Sequence, residues 1–548
     1  MNRAPRHILR WTGRFTSGRR NGWAAQSRPA AISLVPIALA LALLLASLIA
    51  CTITRKGIVY VTATPLLDEQ GIPIIPPTVT PDRPTDTPIV PTPNPTRAGR
   101  EPGGLYSVQP GDTLGTIATL YGVTIDDLLA INSLPDPNAL EVGQLVKVPT
   151  TTTLFGPDVK LIPDSELVYG PTAGKFSVTA EVKFRQGFLK AYSELVGEET
   201  MSGVEIVDTI ARAYSVNPRL LLALLEYRGH WLSDPYPDEH AIQYPMGIAK
   251  EGREGLYRQM TDAADALSAG YYGWKYRGIV SLTLFDGQRV FYAPTLNPGT
   301  VGVQYMLSLT TDSAQWQRDL HPNGFFQTYL SLFGDPFTHA FEPITPPNLQ
   351  QPVLTLPFPP GEEWVYTGGP HGAFNSGSAW AAVDFAPPAP PEEIKAAQGD
   401  CYVSPNWVTA VASGVIARSS GGFVVLDLDG DGDEHTGWDI VYLHMDDFER
   451  IPAGTHVQAG ERLAHPSCEG GVSNGTHLHL SRRYNGEWIP VACELCGPGV
   501  TVPPLVLGEW TMQGFANQEY QGYMTRSGED AYRQADQLRE YAYNKVTW

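Results

Sequence analysis

The sequence predicts a multidomain chain with a small α+β unit, a mostly α-helical middle region and a mainly-β antiparallel domain beyond it. Three observations carry that division. At 548 residues the chain exceeds what one hydrophobic core holds, since domains run to roughly 100–200 residues. Pro-rich stretches interrupt it at Thr62–Pro102 and Thr345–Gly361. Between them the apolar spacing is helical, and after the second it changes to alternation with frequent glycine.

The N-terminal segment, residues 1–51, reads as an export and anchoring device. Its first thirty residues hold seven arginines (Arg3, Arg6, Arg10, Arg14, Arg19, Arg20, Arg28) and no acid, and an apolar run, Ile32–Ala50, ends at Cys51. Leu48-Ile49-Ala50-Cys51 resembles a bacterial lipobox, which implies lipidation of Cys51 and removal of what precedes it. Nineteen apolar residues also nearly suffice for a retained membrane helix. Both readings put the remainder outside the cytoplasm, anchored to the cell envelope. Without the arginines, 31 basic residues face 57 acidic ones, a balance that phosphate backbones repel and that excludes nucleic acid as a partner. Cys401, Cys468, Cys493 and Cys496 form an even set in an exported region, where disulfides persist. Of three connectivities, Cys401 with Cys468 and Cys493 with Cys496 is the one expected. A single Cys-x-x-Cys is weak evidence for structural zinc.

Residues 52–103 are Pro/Thr-rich without apolar periodicity and read as an extended spacer, able to reach roughly 100 Å at about 3.1 Å per residue. In 104–150, Leu114, Ile117, Ala118 and Tyr121 lie at helical spacing. A second helix is predicted from Thr124 as N-cap, Asp127 at N3, and Leu128, Leu129 and Ile131. YSVQPGDTL, YGVTIDDLLAIN and LEVGQLVKVP resemble the LysM module. The resemblance implies a βααβ fold that binds N-acetylglucosamine-containing glycans such as peptidoglycan, through loops after Gly111 and around Asn132 to Pro137.

The middle region, 157–347, is rich in helical periodicity. In Glu205 to Tyr227, Ile206, Ile210, Ala213 and Tyr214 make one apolar face before a break at Asn217-Pro218. AYSVNPRLLLALLEYRGHW resembles the opening of lysozyme-like lytic transglycosylases and implies Glu226 in the acid position. The segment departs from those enzymes at Tyr227-Arg228-Gly229-His230, where Arg228 is placed to pair with Glu226. A helical spacer is the competing reading.

In 355–500, Trp407–Ala417, Gly422–Leu428, Trp438–His444 and His477–Arg482 read as strands. The acidic Asp427–Gly437 reads as a solvated hairpin loop. Asp429, Asp431 and Asp433 alternate as in calcium loops, but position 12 from Asp427 is Trp438 where an EF-hand needs Glu. His477 and His479, two apart on a strand, project from one face. With IPAGTHVQAG, GTHLHL, YLHMD and TGGPHGAFNSGSAWAAVDF, the region resembles the lysostaphin/LytM-type zinc metalloendopeptidases. The commoner form places a histidine four residues before the aspartate, where this chain has Trp380. The β-lytic branch takes it from a Gly-Pro-His-Gly segment, matched here by His371, thirteen residues before Asp384. The resemblance implies Zn2+ held by His371, Asp384 and His479, with His444 and His477 as general base and oxyanion stabiliser in either order. His435, His456 and His465 read as surface or supporting residues, and 501–548 as an extension adding strands to the domain edge.

The expected function is a cell-surface zinc endopeptidase that cuts the peptide cross-links of peptidoglycan, held to glycan by LysM and to the membrane by its N-terminus. A non-catalytic activator of other wall hydrolases, suggested by Trp380, is the alternative. A bifunctional enzyme that also cleaves glycan through Glu226 is another.

Overall fold

The computed structural model describes residues 104–548 except 109–111, 122, 124, 133, 135–139, 149–154, 494–495, 497–499, 516–517, 528–531 and 538–541. The anchor, Cys51 and the spacer lie outside the described residues, as do Thr124 and most of the predicted sugar-binding loops.

The first unit pairs β1 (Gly104–Ser107) antiparallel with β2 (Leu145–Val148), enclosing α1 (Leu114–Tyr121) and α2 (Ile125–Ile131). Its β-α-α-β order is the one the LysM resemblance implies. Leu114, Ile117, Ala118 and Tyr121 are all buried, with Leu128, Val146 and Val148 opposite. Ile131 departs from expectation at 40% exposure, because α2 ends there. Asn132 follows, with Nδ2 donating to the Leu128 carbonyl and Oδ1 accepting from Lys147 N, which ties the helix end to β2.

The middle region is built from α3 (Val178–Lys183), β3 (Ser193–Val196), β4 (Glu199–Ser202), α4 (Gly203–Tyr214), α5 (Pro218–Gly229), α6 (Glu239–Gln243) and α7 (Leu256–Tyr276). It continues through β5 (Ser281–Thr283), β6 (Arg289–Phe291), α8 (Pro298–Ser308), α9 (Ser313–Leu320) and α10 (Phe325–Phe333). A capping box between Ser202 and Glu205 starts α4. The predicted break falls where Ser215 turns left-handed and Asn217 caps α5 ahead of Pro218. Leu220 to Leu225 are buried all round, so α5 is an interior helix.

The C-terminal region is organised by a nine-stranded antiparallel sheet. It runs β13 (His456–Val457), β10 (Gly414–Ser420), β11 (Phe423–Asp427), β12 (Trp438–Leu443), β15 (Leu478–Tyr484), β8 (Ala382–Ala386), β7 (Trp364–His371) and β21 (Lys545–Val546). β16 (Glu487–Trp488) pairs off β15. The short helix α11 (Glu392–Gln398) and the strand pair β9 (Val408–Thr409) with β14 (Arg462–Ala464) lie outside that sheet. The strand expected over Trp407–Ala417 is therefore two strands of different sheets. The tail adds β17 (Val506–Leu507), β18 (Trp510–Phe515), β19 (Gln518–Arg526) and β20 (Tyr532–Gln534) as a separate four-stranded sheet, while β21 extends the main sheet at β7. Cys401 pairs with Cys468 and Cys493 with Cys496, at Cα separations of 5.5 and 5.3 Å.

Strand alternation gives the main sheet two buried faces. Val424, Leu426, Ile440, Tyr442, Leu478 and Leu480 face a core shared with the tail and with Leu354, Leu356 and Phe358, so the Pro-rich stretch read as a joint is packed into the domain. Phe423, Val425, Val441 and Leu443 face the other way and are continuous with the core of the helical region. Polar contacts seal this junction. Trp488 Nε1 donates to the Tyr214 carbonyl at 3.1 Å, Ser215 Oγ to the Gly486 carbonyl at 2.6 Å, and Tyr276 OH to Glu487 at 2.8 Å.

Candidate metal centre

On β15, His479 stands directly opposite Asp384 of β8 and Leu443 of β12, which puts His479 and Asp384 on the face that meets the helical region. His371 ends β7, in register with Ala382. His444 follows β12 with a left-handed backbone (φ 69°) that redirects the chain at the strand end. His477 sits just before β15, bridged to Ser467.

These positions bring all five predicted residues together. His371 Nε2, His479 Nδ1 and His477 Nε2 lie 3.3, 3.4 and 3.7 Å from Asp384 Oδ1, and His371 Nε2 is 3.1 Å from His479 Nδ1. His371, Asp384 and His479 each offer a ligand atom within 4.8 Å of the others. The His444 and His477 rings are 4.5 Å apart, and that of His444 is 6.1 Å from His479.

Backbone carbonyls fix the tautomers. His371 Nδ1 faces the Gly369 carbonyl at 2.8 Å, His479 Nε2 that of Ala373 at 2.8 Å, His444 Nδ1 that of Glu469 at 3.0 Å and His477 Nδ1 that of Gly475 at 2.7 Å. A carbonyl only accepts, so in each neutral ring the proton sits on that outer nitrogen and the inner nitrogen is a bare lone pair. Two such nitrogens 3.1 Å apart repel each other, and Asp384 Oδ1 is buried without a hydrogen-bond donor. An orphaned carboxylate oxygen facing bare imidazole nitrogens fits a bound cation.

The electrostatics couple Asp384 closely to the surrounding rings. Burial acts to lower the His371 pKa, but Asp384 outweighs it and leaves the value raised. Burial likewise acts to raise Asp384, and His371 with His477 holds it well below the carboxylate range. Burial, then His477 and His479, pushes His444 down to about 3, so its ring stays neutral near pH 7.

Two elements outside the predicted site reach it. Tyr520 on β19 stacks on His371 with centroids 4.3 Å apart, and Glu519 accepts from Gly372 N at 3.1 Å. No sequence pattern linked a tail residue to a segment nearly 150 positions upstream. From the helical region, Asp265 accepts from Gly377 N at 2.8 Å and Tyr214 OH accepts from Asn375 Nδ2 at 3.0 Å, holding the connection between β7 and β8.

The remaining candidates fall elsewhere. His435 is buried, not superficial, bonded to Asp433 and packed on Tyr169 at the helical junction. His465 is also buried, bonded to the Asn406 carbonyl and packed on Trp407, while His456 is exposed. The acidic hairpin is exposed at its tip, and Asp427 accepts from Asp429 N and Gly432 N. Glu226 accepts from Leu232 N, Ser233 N and Ser233 Oγ, which closes the turn after α5. The expected pairing of Arg228 with Glu226 is not formed; Arg228 bonds to Asp319 at 2.7 Å, across the packed helices.

Comparison with known proteins agrees with this architecture. The family model of the LasA N-terminal domain matches residues 160–348, and that of the LysM domain matches 106–149. Over 365 residues the chain is 28% identical to Protease LasA of Pseudomonas aeruginosa (strain UCBPP-PA14), covering 62% of this chain and 78% of that protein. It is 29% identical over 147 residues to Beta-lytic metalloendopeptidase of Achromobacter lyticus, covering 25% of this chain and 34% of that protein. Among solved structures, the M23 metalloprotease pseudoalterin aligns at 23% identity with a TM-score of 0.25, over 34% of this chain and 96% of that one. The chain is thus similar to Protease LasA and to Beta-lytic metalloendopeptidase, and residues 106–149 match the LysM domain. The similarity to Protease LasA spans 62% of this chain, and the match to the LasA N-terminal domain falls on the helical region.

Proposed function

We infer that this chain is an extracytoplasmic zinc metalloendopeptidase that hydrolyses peptide cross-links of peptidoglycan, with its LysM domain holding it to glycan. The observation that carries the reading is the orphaned Asp384 Oδ1 ringed by imidazole nitrogens whose protons are committed to backbone carbonyls. His371, Asp384 and His479 are the residues that would hold the metal. Bound zinc supplies Lewis-acid polarisation of a carbonyl and acidifies water.

His444 and His477 divide the protein's own share of the work. Each keeps Nδ1 on a carbonyl and presents Nε2, and His477 Nε2 already lies 3.7 Å from Asp384. The bare Nε2 of one can take the proton of the attacking water, and the other can donate to the developing oxyanion only once its Nε2 has gained a proton, since its Nδ1 proton stays on the backbone carbonyl. His444 is buried and His477 partly so, and Tyr520 of β19 covers His371. The N-terminal sequence supports anchoring to the membrane through lipidated Cys51 or a retained helix.

The test is His371→Ala in the purified chain, with zinc measured by elemental analysis and hydrolysis followed on purified cell walls. Both are expected to be lost. Hydrolysis that persists in the variant overturns the reading, and wild-type protein that stays zinc-free under metal-replete conditions favours the non-catalytic activator.

A further inference from the structure

Three carboxylates converge in the hairpin between β11 and β12. Asp427, Asp429 and Asp431 each offer an oxygen within 4.8 Å of the others. Their spacing, D-x-D-G-D-G, matches positions 1, 3, 5 and 6 of a calcium loop, and Gly432, at the sixth, has the left-handed backbone (φ 78°) of its sharp turn. Such turns also form without an ion, so the pattern alone assigns nothing.

A fourth carboxylate lies beneath the turn. Asp439 is fully buried, and its Oδ1 has no hydrogen-bond partner among the described residues. Asp427 of β11, Asp439 of β12 and Arg483 of β15 stand directly opposite one another across the sheet, so their side chains share one face. Oδ2 of Asp439 is turned toward Arg483, 3.2 Å from its Nε. Oδ1 therefore lies on the β11 side, where Asp427 stands. Burial lifts the Asp439 pKa well above the carboxylate range, with Glu434 and Asp427 adding to it and Arg483 opposing, so Asp427 is within electrostatic reach. Asp429 leans back toward the same place, since a Cβ added at Gly437, two residues before Asp439, would strike its carboxylate. A buried carboxylate oxygen without a donor, beside further carboxylates, is a costly arrangement unless a cation joins them.

We propose that Asp427, Asp429, Asp431 and Asp439 form a calcium site that locks the β11–β12 hairpin. Calcium takes roughly six to eight oxygens from carboxylates, carbonyls and water, and an all-oxygen set of this charge suits it better than zinc. Asp439 stands in for the glutamate that an EF-hand carries at position 12, here Trp438, and reaches the loop across the strand pair. The site shares no residue with the histidine centre and does not depend on how that centre is read.

Calorimetry of calcium binding to the full chain, with zinc held constant and the melting temperature measured alongside, tests the site. A single equivalent of calcium should bind with a Kd of about 10⁻⁴–10⁻³ M, the range of extracellular modules. About 10 mM calcium should then raise the melting temperature by a few degrees. Asp429→Asn/Asp431→Asn should lose both effects, because asparagine keeps the oxygen that each turn uses and removes the charge. In calcium-free buffer the same double variant should melt no lower than the unmodified chain, since it relieves the crowding of carboxylates. Asp439→Asn should weaken calcium binding by about tenfold or more while leaving the turn intact. Calcium binding undiminished in the double variant, no binding at about 10 mM, or an equal rise in melting temperature with sodium chloride at matched ionic strength overturns the proposal.

Discussion

A methyl group at position 368 would collide with the Asp384 carboxylate. Gly368 pairs with Asp384 across β7 and β8, and a Cβ built there meets Asp384 Oδ2 and lies 2.9 Å from its Cγ. Asp384 can yield only by turning away from His371 and His479. Gly368→Ala is therefore expected to weaken zinc binding by about 10–100-fold, the usual effect of disturbing a ligand's support, while the sheet remains intact. Competition with a chromogenic chelator measures the first and circular dichroism the second. At this scale the sequence was informative, because the shared face of His477 and His479 follows from strand periodicity, whereas His371 and Asp384 were legible only through the resemblance to the lysostaphin/LytM-type enzymes. The carbonyl partners that fix each tautomer were not legible, since they depend on where β-strand ends and turns place individual backbone oxygens.

Among the elements, the segment from α11 to β14 is tied back by the bond between Cys401 and Cys468, 67 residues apart. The closed loop contains β10, β11 and β12 and ends just before His477. Loop-closure entropy for that length is about 4 kcal/mol. The double variant Cys401→Ala/Cys468→Ala should lose stability of that order, read as a fall in the urea midpoint with little change in slope; an unchanged midpoint would show that strand packing alone sets the stability. Of these elements, β11, β12 and β15 were evident from alternation, whereas β7 and β8 were not, because both are buried on both sides and β7 is interrupted by glycines. The tail strands were foreseen only as an edge extension, and the contact of Tyr520 with His371 depends on a separate sheet whose placement no local pattern encodes.

Among the described residues, a shared core joins the helical region to the main sheet. Phe423, Val425, Val441 and Leu443 would each lose about 1.5–3 kcal/mol of burial if the helical region were removed. Glu434 clamps the same junction, reaching Arg418 at 3.0 Å and Arg483 at 2.6 Å within the sheet and Arg212 of α4 at 3.2 Å. Burial acts to raise its pKa, but Arg418 and Arg483 hold it far below the usual carboxylate range. The stability it confers is thus full above the unfolded value near 4.3 and is lost as pH falls below that value toward the depressed folded one. Glu434→Gln should cost roughly 3–5 kcal/mol at neutral pH, because it strands buried guanidinium groups. Its deficit relative to the unmodified chain should shrink below about pH 4, and denaturation curves at pH 7 and pH 3 test both. The division into helical and β regions was legible from the change of period, but their fusion was not. Periodicity reports that a face is apolar without naming what covers it, and Glu434, Arg483 and Arg418 look like ordinary surface charges in a linear sequence.

That junction also separates two inheritances. The proposed zinc ligands come from β7, β8 and β15, whereas α7 ends 88 residues before β7 begins and supplies Asp265 to the connection between β7 and β8. Substitutions in α7 can shift the connection that follows His371 without altering a strand of the main sheet, so the setting of the site and the site itself can evolve under different constraints within one folded body.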